Sequence, residues 1–201
     1  TRKGYHLLHQ AKMASDPQKH MEVVARMYRF RFKQSLGTDL TLPQLRGMEG
    51  VRVREAYAEA SQKYGVKWSG RRYERSNWMG SDPVNRALSA ANALMNGLCQ
   101  SAIVSGGYST AIGFIHTGKQ LSFVFDIADL YKVDYCVPIS FEIVSQSTTE
   151  VEKRVRQACR EKFREVRLLE RILPDIDELL QVPDQFDGEF PADEDRALPE
   201  P

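Results

Sequence analysis

The stretch Ser81–Ser105 constrains the fold more than any other part of this chain. Ser81-Asp82-Pro83 reads as a helix start: a short polar cap, then a proline whose missing N–H costs nothing in a first turn. Leu88, Ala91, Leu94, Met95, Leu98, Ala102 and Ile103 then recur at helical spacing and cover a broad face. Ala87, Ala90, Ala91 and Ala93 are small enough to let other helices approach closely. Gly106-Gly107 ends the pattern. A helix this long and this apolar must be surrounded, so it predicts a bundle with this segment as its central core helix.

The flanking segments supply the surrounding helices. Gly4–Ala14 has helical periodicity, and Asp16 with Pro17 opens a second helix to about Leu36. Thr41 caps a third, with Pro43 in its first turn and a stripe of Leu45, Val53, Ala56, Ala60 and Tyr64. Pro138 sits near another helix start. Thr149 and Glu152 have the spacing of a capping box, opening a long helix to about Leu173 that Pro174 breaks. Val66–Tyr73, with Ser69-Gly70 at its middle, reads as a tight hairpin. The expected fold class is therefore mostly α, a helical bundle with one small β-hairpin.

Composition closes off several classes. Of 201 residues, 42% are hydrophobic, enough for a full core. No window approaches the roughly 18 apolar residues of a membrane span. P-loop, Rossmann and HExxH patterns are absent. The chain opens at Thr1 with no initiator methionine and reads as a piece of a longer protein. Cys99, Cys136 and Cys159 have no CxxC spacing and fit reduced thiols of a cytoplasmic protein. Net charge is +1, yet residues 183–201 hold seven acids against Arg196 alone. The division is thus a basic body, 1–182, and an acidic, proline-containing tail, 183–201, whose scattered apolar anchors are Phe186, Phe190 and Leu198.

Chemistry concentrates in Gly113–Leu130, GFIHTGKQLSFVFDIADL. His116 lies among apolar residues, and Asp126 and Asp129 fall three apart, on one face if the segment is helical. Imidazole plus carboxylates suits a divalent ion. Equally, His116 could be a hydrogen-bonded core residue and Asp126 a helix cap. Glu49 interrupts the apolar stripe of the third helix between Gly47 and Gly50. A core-facing carboxylate needs a cation, a metal or a proton, so the choice there is a metal or an arginine such as Arg52 or Arg46. Arg71, Arg72 and Arg75 interleave with Trp68, Tyr73 and Trp78, a pattern that grips phosphate or merely solvates a face.

Four words in this order, LRGMEGVRVREAY, VKWSGRRY, SDPVNRALSAANALMNGLC and GYSTAIGFIHTGKQLSFVFDIADLYK, resemble the CRISPR-associated integrase family, in its type I-E form. The resemblance runs from about Leu7 to Val182. It implies an α-helical catalytic domain, preceded in the family by a β-rich domain that forms the homodimer. It implies a metal-dependent integrase and endonuclease that inserts foreign DNA into a CRISPR array. In that reaction a 3′-hydroxyl attacks a phosphodiester. The implied cofactor is Mg2+ or Mn2+, held by Glu49, His116 and Asp129, with Asp126 a further acid needed for activity, either orienting a ligand or holding a second ion. The implied partners are double-stranded and branched DNA and a small ferredoxin-like subunit. Arg46, Arg54, Arg71, Arg72, Lys119 and Arg156 are the candidate DNA contacts. The competing expectation is a helical DNA-binding scaffold with no catalysis of its own.

Overall fold

The computed structural model describes residues 2–32, 40–71 and 82–183. The helices are α1 (Arg2–Ser15), α2 (Pro17–Phe32), α3 (Leu42–Tyr64), α4 (Pro83–Gly106), α5 (Ser122–Ala128), α6 (Val137–Gln146), α7 (Val151–Glu165) and α8 (Leu168–Leu180). A π-helical turn, Lys132–Cys136, leads into α6. No strand occurs among the described residues. The first arm of the expected hairpin, Val66–Gly70, runs as irregular chain, and Arg72 and Tyr73 lie outside the described residues.

α4 is the hub. Asp82 caps it by accepting from the Asn85 N–H, Pro83 opens it, and Gly107 closes it in the left-handed conformation at φ 83°. Its Ala87, Leu88, Ala91, Met95, Cys99, Ala102 and Ile103 are buried. α5, α6, α7 and α8 all pack on it. Its small residues do what their size suggests: a Cβ on Gly106 would sit 2.5 Å from Leu173 Cδ2, so α8 is seated against bare backbone there.

Two sequence expectations are corrected. The helix after Glu150 does not run to Leu173. It breaks at Val166–Arg167, where Arg167 takes φ 51°, and Pro174 lies inside α8. Proline costs a helix interior about 3 kcal/mol. Leu168, Ile172, Ile176, Leu179 and Leu180 are buried along α8 on both sides of it. Burying such side chains stabilises by about 1.5–3 kcal/mol each, which outweighs the local penalty. The Thr149–Glu152 capping box does not form either. Glu150 takes the cap position at φ 47° without a side-chain cap bond, and Glu152 pairs instead with Arg86 of α4 at 3.6 Å.

At α3, Gln44 accepts from both the Thr41 N–H and hydroxyl, at 2.8 and 2.7 Å. Only Leu45 and Ala60 of its expected stripe are buried. Val53 and Tyr57 are half-exposed because they face a cleft rather than the core.

Candidate active site

The cleft holds about 460 Å³ and is walled by α2, α3, α4, the loop before α5, and the start of the π-helical turn. Glu49, His116 and Asp129, from three distant segments, all line it. Arg31, Arg46, Arg71 and Lys132 line it too, so its walls carry four cations against two carboxylates.

The loop that carries His116 is held by its neighbours rather than by its own secondary structure. Asp126, fully buried on α5, accepts the backbone N–H groups of Phe114 (2.6 Å), Ile115 (3.1 Å) and His116 (2.9 Å). Its Oδ1 also lies 2.7 Å from His116 Nδ1. A carboxylate has about four good acceptor sites, and here each oxygen already takes two donors. Asp126 therefore fixes the imidazole, with both of its oxygens occupied by the loop. With Nδ1 held by Asp126, Nε2 faces the cleft, 3.8 Å from Asp129 Oδ2.

Two further groups clamp this loop from outside. Gln10, fully buried on α1, donates to Ser109 O and Ile112 O at 3.0 and 2.8 Å and accepts from the Ser109 N–H at 2.8 Å. His20 on α2 bonds Phe114 O at 2.8 Å. Gly113 sits where a Cβ would lie 2.2 Å from His116 O, so the turn tolerates only glycine. Gln10 and His20 escape sequence reasoning because their roles depend on contacts about a hundred residues away, and Gly113 because its role depends on the path of its own turn. A glutamine inside an apolar helix face was the one available hint.

Glu49 receives Arg52 through Nε and Nη2, at 2.9 and 3.1 Å, and Arg31 Nη1 at 3.6 Å. Arg52, one of the two arginines the sequence offers, thus pairs with Glu49, and Arg31 joins it from α2. Arg31 is buried and also donates to Asp126 O at 3.3 Å, tying Glu49 to the loop mount. Among the described residues, a Cβ on Gly47 would meet nothing within 4 Å, and one on Gly50 would meet only Arg54 Nη1 at 3.5 Å, so no helix of the described fold packs on these glycines. Asp129 pairs with Lys132 at 2.8 Å. Among the described residues no three His, Cys, Asp or Glu side chains are grouped to hold an ion as they stand. The acids share a cleft and are each held by a cation.

The candidate DNA contacts scatter. Arg46 and Arg71 line the cleft. Arg71 is fixed to α4 through Asn85 O, Asn85 Oδ1 and Ser89 Oγ, each at 2.9 Å. Arg54, Lys119 and Arg156 are exposed on α3, the loop and α7. Arg72 lies outside the described residues.

The profile of the family described as "CRISPR associated protein Cas1" matches residues 2–157. The chain belongs to the Cas1 family. Similar Cas1 proteins include the CRISPR-associated endonuclease Cas1 2 of Thermus thermophilus, 53% identical over 199 residues, 99% of this chain and 61% of that protein. The CRISPR-associated endonuclease Cas1 of Escherichia coli is 44% identical over 174 residues, 87% of this chain and 57% of that protein. The chain thus spans about three fifths of the length of these Cas1 relatives. Among solved structures, a TtCas1–DNA complex superimposes with a TM-score of 0.84 at 54% identity, over 90% of this chain and 67% of that one. TtCas1 without DNA gives 0.82 at 53% identity, over 89% and 67%. Cas1 helices of known structure therefore correspond to nearly all of the described fold. No helix of the described residues is long and apolar enough to cross a membrane.

Proposed function

We propose that this chain supplies the catalytic helices of a divalent-metal-dependent DNA integrase and endonuclease, of the type I-E form that its sequence words resemble. The substrate is double-stranded or branched DNA, and the reaction is 3′-hydroxyl attack on a phosphodiester of a CRISPR array. The observation that carries this reading is the convergence of Glu49, His116 and Asp129 on one cationic cleft. The donor set fits Mg2+ or Mn2+: two carboxylates lining one cleft and an imidazole whose second nitrogen is anchored by a buried acid. Glu49, His116 and Asp129 would hold the ion. Bound there, the ion would act as a Lewis acid on a phosphate oxygen and help align the attacking hydroxyl.

The chain's own residues do the rest. Arg31, Arg52 and Lys132 keep the carboxylates in place and offset their repulsion across the cleft. Arg46 and Arg71 are suited to holding phosphate oxygens, which positions DNA without reading its sequence. Arg54, Arg72, Lys119 and Arg156 would extend that contact outside the cleft. Partners in the whole protein would be a second copy and a small ferredoxin-like subunit, and the setting would be the cytoplasm. One observation favours the scaffold reading: both carboxylates are already neutralised by cations. Strand transfer and cleavage of branched DNA by the full-length protein with its small subunit, with Mn2+ or with chelator, separates the two. Metal-dependent joining supports catalysis. DNA binding with neither cutting nor joining supports the scaffold.

A further inference from the structure

A second groove, of about 620 Å³, lies away from the cleft, between the middle of α4 and the α7–α8 junction. Its floor is Ala93, Leu94, Gly97 and Leu98, and its far wall carries Phe163 and Leu169. Leu169 is 54% exposed, unusual for a leucine beside an apolar trough. Among the described residues, a Cβ built on Gly97 meets nothing within 4 Å, so the floor has room for a ring laid against α4. Arg160, Arg164 and Arg167 form the rim, with Glu170 the one acid among the lining residues. Arg167 is paired with Glu170, which leaves Arg160 and Arg164 as exposed rim charges. The size falls within the ~300–1,000 Å³ typical of binding pockets.

The described chain stops at Pro183, and the 18 residues beyond it carry seven acids, one base and the apolar side chains Phe186, Phe190 and Leu198. We propose that this groove is the docking site of the chain's own C-terminal segment. Phe190 occupies the trough over Gly97, and Asp187 and Glu189 face Arg160 and Arg164. The reach is sufficient. The groove opens at Leu169, about 17 Å along α8 from Leu180, and the seven residues from Pro183 to Phe190 span up to about 24 Å when extended. Tethering places the segment near the groove at roughly millimolar effective concentration, so modest contacts keep it bound. The pairing is complementary in both charge and apolar content. A purely electrostatic contact would need no aromatic anchors and no trough. Because the groove adjoins the basic face of α7 that includes Arg156, the docked segment competes with any polyanion on that face.

The test is hydrogen–deuterium exchange on the full chain. Amides of 184–192 are expected to exchange at least about tenfold more slowly than their intrinsic rate. Gly97→Leu, which fills the trough and suits a helix interior, is expected to release them. So is the pair Phe186→Ser and Phe190→Ser, made at positions outside the described fold. Protection should persist on tenfold dilution, since the contact is within one chain. Intrinsic-rate exchange in the unaltered chain would overturn the proposal, as would protection that survives Gly97→Leu. Protection lost on dilution would assign the groove to a second copy's segment and overturn docking in cis.

Discussion

Replacing Asp126 by asparagine tests whether the His116 loop is mounted on that one carboxylate. An amide offers one accepting oxygen where the carboxylate has two, each now taking two donors. With the amide nitrogen at the Oδ2 position, the N–H groups of Phe114 and Ile115 lose their acceptor. With it at Oδ1, the His116 N–H loses its own, and the ring must move its proton to Nε2 to keep a bond. Each orphaned buried donor costs about 1–3 kcal/mol, and the surviving bonds drop from charge-assisted to neutral strength, about 1 kcal/mol each. Removing a buried charge returns part of this. The net loss is about 2–5 kcal/mol, a fall in Tm of roughly 5–15 °C for a chain of this size. Thermal and urea unfolding by circular dichroism measure it, and nitrogen-15 shifts of the His116 ring report the tautomer. Asp129→Asn is the control: that side chain is 28% exposed and loses one lysine pair, less than about 1 kcal/mol. An Asp126→Asn chain melting within about 2 °C of the parent, with the ring proton still on Nδ1, would refute the mount.

Gln10→Met should cost about 2–4 kcal/mol by leaving Ser109 O, Ile112 O and the Ser109 N–H unpaired behind the loop, and should raise exchange at residues 109–116. Burial pushes the Cys99 and Cys159 thiols up to about 12 and Cys136 well above its ordinary value. The folded chain keeps protons that the unfolded chain releases from about pH 8.5–9. Stability should therefore be flat below that range and fall above it, by about 1.4 kcal/mol per pH unit per thiol up to about pH 12. Denaturant titrations from pH 7 to 10 check this, and a flat profile would contradict it. DNA affinity should fall steeply with salt, and Arg46→Ala should reduce the log–log slope by about one unit.

The helices were legible because their signals are local. The Thr41 and Asp82 caps, the prolines at first turns and the apolar face of α4 lie within a few residues of what they control. The α7–α8 break was illegible because it is decided by burial of Leu168 and Ile172 against distant helices, which overrides a visible proline. Glu49 was conspicuous as a carboxylate on an apolar stripe, and its partner Arg31 was not, since no spacing rule connects α2 to α3. The saturation of Asp126 by three consecutive N–H groups required the loop's path. Glu49, His116 and Asp129 were picked out by their chemistry and by family resemblance, and their shared cleft became visible only in three dimensions.

The central claim is that those three residues hold one ion. Titrating Mn2+ into the full chain, followed by electron paramagnetic resonance of the free ion, tests it without DNA or turnover. The account predicts one bound Mn2+ per chain, with occupancy lost in Glu49→Ala, His116→Ala and Asp129→Ala alike. A chain that binds no Mn2+, or one whose binding is unchanged by Glu49→Ala, would contradict it.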